Sequence, residues 1–292
     1  MANITDKLFL RQRSRPGKLR KRLSSIVVYF ILAIGAIVSV LPFIWMILGA
    51  FKTYAEASRI PPTFWPQEWV LVNFDWAWNK IRFPRLFGNS MVVTVTVTAF
   101  TLYSSALVGY VLEKFRFPGR NVIFFVVVSQ MFIPGQLAML VRWLMFQEVQ
   151  LLDTLAALII PALYSTFGIF LLRQYMHTVP NELLDAARID GCSEIGIFHR
   201  IVLPNLGPAL SALGIFTFLW VYNDFTWPLM ALSSVENYTV PLGLSHYQER
   251  YASHIEYLMA GSALAVIPVV LVFIVFQRRI TEGVALTGMG EL

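Results

Sequence analysis

One cysteine, four histidines and a charged fraction of 14% leave this 292-residue chain few of the groups on which soluble enzymes build chemistry. The lone thiol, Cys192, cannot close an internal disulfide, so a stapled secreted scaffold is excluded. No G-x-x-x-x-G-K-[ST] run occurs. The single Gly-Lys pair, Gly17-Lys18, lacks the earlier glycine and is followed by Leu19, so no phosphate loop for ATP is expected. His177, His199, His246 and His254 show no ligand spacing with Cys192 or with paired carboxylates. No metal or cofactor site is therefore expected, and His177 and His199 read as interfacial or solvated polar groups. Charge is the most telling shortage. Soluble domains carry about 25% charged residues, whereas this chain is 57% apolar with a mean hydropathy of +0.63. It has too little polar surface to cover itself in water, and a lipid partner is implied.

Cutting the sequence at its charged residues leaves six long windows free of Asp, Glu, Lys, Arg and His: 23–51, 86–112, 121–141, 154–172, 201–223 and 257–277. A hydrocarbon core is crossed by about 20 apolar residues, so each window is long enough to cross once. The expected fold is an all-α polytopic membrane protein with six transmembrane helices. Eight of the 23 basic residues lie within the first 22 positions, which holds that segment on the cytoplasmic side. A cleaved signal peptide would have an apolar stretch of about 7–15 residues; this one runs to 29, so a retained first span is expected. With six crossings both termini are cytoplasmic, and 16 Lys and Arg then fall inside against seven outside. The net charge of +6 follows this bias and does not mark a nucleic-acid surface. The expected organisation is a basic segment 1–22, a membrane domain 23–277 and a cytoplasmic tail 278–292. A polytopic membrane enzyme would need ionisable groups converging at membrane depth, and the six windows contain none. A channel is a further alternative, but it would leave the long inner loop without a purpose.

Several features point to a passage. Gln130, Gln136, Asn223 and the hydroxyls Thr94, Thr96, Thr98, Ser104, Ser105 and Ser262 should face other helices or water. Gln130, Gln136 and Asn223 are the candidate pore or substrate contacts. Thr94, Thr96 and Thr98 alternate as in a strand, but an uncharged window of 27 residues favours helix. Pro42, Pro134 and Pro268 are expected to kink their spans. The outer loop 52–85 carries Trp65, Trp69, Trp76 and Trp78; a belt at headgroup depth, sugar stacking and docking of an outer protein are all compatible. Residues 113–120 form a tight inner turn at Pro118-Gly119.

The inner loop 178–204 is the most informative segment. Pro180 suits the first turn of a helix, where Glu182 and Asp185 meet its positive end. Leu183, Leu184 and Ala187 share a helical stripe. Gly191 fits a left-handed cap, Ser193 an N-cap, and Pro204 closes a second helix. Ala186 and Ala187 together offer a low-relief surface that another backbone could approach. Here Asp185-Ala186-Ala187, Gly191 and Ile201-x-Leu203-Pro204 resemble the EAA motif of membrane subunits of binding-protein-dependent ABC importers, with Asp for the usual Glu. Leu41-Pro42-Phe43-Ile44-Trp45, Asn89-Ser90, Phe115-Arg116-Phe117-Pro118-Gly119 and Asn223-Asp224-Phe225 extend the resemblance, specifically to the smaller permease of maltose-type systems. It implies a type I permease fold in the bacterial cytoplasmic membrane. It also implies that the loop is a coupling helix, with Glu182, Asp185, Ala186, Ala187, Gly191, Ile201, Leu203 and Pro204 meeting an ATPase subunit. The partners implied are a second homologous permease, two ATPase subunits that bind ATP and magnesium, and an extracytoplasmic solute-binding protein. The solute expected from this branch is a sugar or oligosaccharide. The basic outer residues Arg59, Lys80, Arg82 and Arg85 would also tolerate an anionic sugar phosphate or uronate.

Overall fold

The computed structural model describes the backbone of residues 18–251 and 253–288, and the side chains of 25–251 and 253–276. The basic side chains of 1–22 and those of the 278–292 tail lie outside the described residues. The described residues are helical and contain no strand. In order, the chain forms α1 (Lys18–Gly49), α2 (Tyr54–Ala57), α3 (Val72–Asn79), α4 (Phe83–Lys114), α5 (Arg120–Ser129), α6 (Met139–Glu148), α7 (Leu155–Ile159) and α8 (Thr166–Met176). It continues through α9 (Asn181–Ile189), α10 (Glu194–Ile197), α11 (Leu203–Asn205), α12 (Gly207–Tyr222), α13 (Thr226–Ala231), α14 (Val240–Arg250) and α15 (Ile255–Gly288).

Four stretches can cross a membrane unaided: Ser25–Gly49, Phe83–Lys114, Leu155–Met176 and Ile255–Phe276. Windows 121–141 and 201–223 fold as bent helix pairs and not as the simple spans expected, and the count reaches six when each pair is taken as one crossing. Arg120–Phe132 meets Gly135–Glu148 at 95°. Pro134 has no N–H to continue the ladder, and it drives Ile133 into an extended conformation with φ −92° and ψ 117°. Glu194–Asn205 meets Gly207–Tyr222 at 78°. Residues 201–205 thus belong to the arm of the 178–204 loop, and the membrane stretch starts at Gly207-Pro208. Pro42 and Pro268, by contrast, sit inside the continuous helices α1 and α15.

Helix α4 is the spine, and Thr94, Thr96 and Thr98 are helical within it. Its first turns carry Phe83 and Leu86 into a cluster with Ile81, Val240 and Ala260. Its middle packs Val93 and Val97 against Leu158, Trp227 and Leu232. Its last turns bury Ala106 and Tyr110 against Leu172, Leu184 and Phe198. Small residues let α8 lie directly on it: a Cβ on Gly109 would stand 3.1 Å from the Arg173 backbone nitrogen, and one on Gly168 would stand 2.5 Å from Ser105 Oγ. Between α7 and α8 the chain breaks at Pro161–Ser165. There α4 supplies the missing donors, Thr101 Oγ1 to the Ala162 carbonyl at 3.2 Å and Ser104 Oγ to the Leu163 carbonyl at 3.3 Å.

At the opposite end from the 178–204 loop, residues 50–82 fold against α14 and α15. Trp76 stacks on Tyr257 at 4.3 Å between ring centroids, while Trp65, Trp69 and Trp78 remain exposed. In the same layer the Gln67 N–H donates to both carboxylate oxygens of Glu56 at 3.0 Å. Asp153, in a left-handed conformation (φ 59°), accepts the Ser233 and Ser234 N–H groups at 3.0 and 2.9 Å and pins the α6–α7 turn to residues 231–237.

Candidate functional site

The 178–204 loop keeps the expected glycine cap and serine N-cap, but Pro204 lies inside α11 and does not close the second helix. Pro180 is extended and stands one residue ahead of α9, with Glu182 in the first turn. Gly191 has φ +81°, and Cys192 N–H reaches the Ala187 carbonyl at 2.9 Å, a left-handed helix cap. Ser193 Oγ accepts from Gly196 N–H at 3.2 Å and opens α10. Beyond α10 the helix widens into a π turn at Phe198–Val202 just ahead of Pro204, which lacks an N–H.

The inward stripe is narrower than expected. Leu184 and Ala187 are buried, but Leu183 is 48% exposed because it lies beyond Ala187 on the helix wheel. Ala186 and Ala187 do not form a shared surface: Ala186 faces out, and Ala187 belongs to the core with Met176, Val179 and Phe198. Ile201 and Leu203 pack against that same core, whereas Pro204 is exposed. The open face carries Glu182, Asp185 and Ala186, flanked by exposed Leu183, Ile189 and Ile195. These three apolar side chains stand exposed on one short loop.

What braces this loop is a set of residues the sequence reading missed. Arg188 donates to Asp185 Oδ1 at 2.7 Å and to Glu194 Oε1 at 2.7 Å. Glu194 Oε2 in turn accepts Tyr110 OH at 2.8 Å. Carboxylates from both sides hold the Arg188 guanidinium even more firmly protonated than usual, Glu194 contributing most. Lys114 Nζ donates to the Val179 carbonyl at 2.6 Å and to Asn181 Oδ1 at 3.0 Å. Beside it Glu113 receives Arg173 Nε at 3.0 Å and His177 Nδ1 at 3.1 Å. The last two turns of α4 therefore grip both helices of the loop. The sequence signal was faint: a tyrosine, a glutamate and a lysine at the end of an apolar run.

A second feature is a cavity of about 800 Å³ between α4, the α7–α8 break, the α6 arm and α12–α13. Gln136 lines it. Gln130 stands behind the wall, its Oε1 accepting Thr166 Oγ1 at 3.3 Å. Asn223 is not among the lining residues; its Nδ2 donates to the Leu219 carbonyl at 2.8 Å and closes its own helix end. Its neighbour Asp224 lines the cavity instead, together with Arg142 and the aromatics Trp220 and Trp227. Among the described residues no three His, Cys, Asp or Glu side chains gather as a metal site requires.

Residues 8–285 match the family of binding-protein-dependent transport system inner membrane components. The chain belongs to that family. It is 36% identical over 276 residues to the arabinooligosaccharides transport system permease protein AraQ of Halalkalibacterium halodurans, covering 92% of this chain and 99% of that one. It is 33% identical over 265 residues to the lactose transport system permease protein LacG of Rhizobium radiobacter, covering 91% and 96%. The fold is also that of a chain in the crystal structure of a bacterial ABC transporter involved in import of the acidic polysaccharide alginate. There the TM-score is 0.79 at 21% identity, over 88% of this chain and 96% of that one. This permease is thus a multi-pass transport subunit of the bacterial inner membrane, with the fold of an ABC importer permease.

Proposed function

We propose that this permease forms half of the pore of an ATP-driven importer for a neutral sugar or oligosaccharide and is driven through its 178–204 loop. A second homologous permease completes the pore, two ATPase subunits seat against the loop, and a solute-binding protein delivers substrate from the opposite side. ATP and magnesium are bound by the ATPase subunits, and this chain has no ATPase site or cofactor of its own. In this reading the termini and the loop are cytoplasmic, in line with the basic N-terminal cluster.

The observation that carries the reading is the brace of the loop to α4 through Tyr110, Glu194 and Lys114, on a loop that leaves Leu183, Ile189 and Ile195 exposed. Those exposed side chains give a partner apolar area to bury. The brace makes α9 and α10 move with α4, which reaches the cavity wall at Val93, Val97 and Thr101. Closure of the ATPase pair would push the loop, and the α5–α6 and α11–α12 bends would let the membrane arms pivot between two accesses. The sugar assignment draws on the relatives named for arabinooligosaccharides and lactose. An anionic solute, as in the alginate importer, is the second reading.

The test is the double variant Asp185→Lys, Gly191→Val. Valine at φ +81° is strained, and lysine at 185 faces Arg188 with like charge. Uptake should be lost while the protein still reaches the membrane fraction and still pairs with its second permease. Normal uptake in that variant would overturn the coupling role.

A further inference from the structure

The cavity holds two charges that hydrophobicity alone would not put there, and they are not equivalent. Arg142 stacks its guanidinium 5.0 Å above the Trp227 ring. That ring is fixed in turn, because Trp227 is buried and its Nε1 donates to the Ala157 carbonyl at 2.9 Å. No acceptor among the described residues takes a hydrogen bond from Arg142, so its donors are unspent inside a half-buried site. Asp224 belongs to the same lining. Two further observations point to a polyhydroxylated ligand. Thr239 lines the cavity, is 95% buried, and its Oγ1 has no hydrogen-bond partner. Trp220, on the α12 wall, is 81% exposed, an aromatic face with nothing stacked on it.

We infer that this cavity is a glycan subsite for uncharged sugar residues, in which Arg142 is the recognition group and Asp224 the excluding one. The planar fork of Arg142 donates to neighbouring hydroxyls of one ring, Thr239 supplies a hydroxyl partner, and Trp220 covers the apolar face of the sugar. Asp224 balances the charge of Arg142, so a neutral ring meets a site of no net charge. A uronate carboxylate would also fit the Arg142 fork, but it would face Asp224 as a like charge, and that repulsion selects against it. The inference rests on the importer reading above and decides between its two solute classes.

The experiment uses the complete permease–ATPase complex in detergent without its binding protein, so that only the membrane site is read. Ligand-induced thermal shifts are measured with arabinotriose, lactose and diacetylchitobiose, and with trigalacturonate as the acidic probe. Wild type should respond to at least one neutral sugar and not to trigalacturonate. Asp224→Asn, an isosteric change, should gain trigalacturonate affinity by about tenfold or more. Arg142→Gln and Trp220→Ala should each lose about tenfold for the neutral sugar, and Arg142→Lys should lose less while still rejecting the uronate. Unchanged trigalacturonate affinity in Asp224→Asn, or equal wild-type response to both classes, would overturn the inference. Reconstituted complex that imports a neutral sugar while these variants bind as wild type would sink the subsite alone. A complex that imports no sugar would sink the importer reading as well.

Discussion

The two ends of the bundle are tied by different kinds of bond. Opposite the 178–204 loop, carboxylates take backbone N–H groups: Glu56 from Gln67, and Asp153 from Ser233 and Ser234. At the loop end, side chains on separate helices hold each other, Tyr110 of α4 to Glu194 of α10, Glu194 to Arg188 of α9, and Arg173 of α8 to Glu113 of α4. A carboxylate filled by the backbone N–H groups of one neighbouring segment, as Asp153 is by Ser233 and Ser234, fixes the contour where the two segments meet and passes little further. A run of side chains crossing four helices ties them into a body that moves as a unit. The loop end is built to transmit, and the opposite end to hold a contour.

The severest way to break this contrast is to separate the element both ends share. Gly109→Val puts side-chain atoms against the Arg173 and Leu172 backbone, and overpacking of this kind costs about 1–3 kcal/mol. The melting temperature of the purified chain should fall, and hydrogen exchange should rise at both ends. A wild-type melt would mean that α4 is not the common spine. Next comes Asp153→Asn, which weakens charge-assisted bonds worth about 1.5–3 kcal/mol each to a charged group. Exchange should rise at 231–237 and stay unchanged at 184–197; a rise at both would erase the distinction between the ends.

Acid should act on the same end. Burial raises the Asp153 carboxyl, but the Ser234, Ser233 and Asn237 hydrogen bonds outweigh it and hold its pKa at about 2, against an ordinary 3.8. For a depressed carboxyl the stabilisation is complete above its ordinary value and is lost as pH falls through the depressed one. Glu56 is lowered too: burial opposes, while Thr63, Gln67 and Lys52 prevail. Exchange at 231–237 should therefore climb between about pH 4 and pH 2 in wild type and climb less in Asp153→Asn. The smallest effect is expected from Tyr110→Phe, which removes a single hydrogen bond to a charged group, worth about 1.5–3 kcal/mol, and leaves Arg188 on Glu194. Uptake should fall a few-fold and the melting temperature by less than in Asp153→Asn, which weakens several such bonds. Full uptake would show that the brace does not need its α4 anchor.

Local punctuation was legible in the sequence because it acts within a few residues: the Gly191 turn, the Ser193 cap and the helicity of the threonine-rich span all follow from backbone rules. Long-range outcomes were not. Of the stripe expected at Leu183, Leu184 and Ala187, only Leu183 falls outside, because the stripe's centre is set by the core that α8 and α10 supply. The third and fifth windows proved to be bent pairs, since apolarity reports what a segment tolerates and not its direction. Windows cut at charged residues end beside those residues, so Arg142 and Asp224 fall just outside them, yet both line the cavity. Asn223 looked polar enough to line a pore, yet its amide serves its own helix.

The position of Cys192, directly after the Gly191 turn and half-buried, has a practical consequence. The unaltered protein already carries a single thiol handle at the joint between α9 and α10, and no background cysteines need be removed before it is used. A maleimide that cannot permeate membranes, offered first to intact cells and then to inverted vesicles, would report from that atom which compartment the joint faces. A fluorophore left there would register each turnover as a change in colour or intensity.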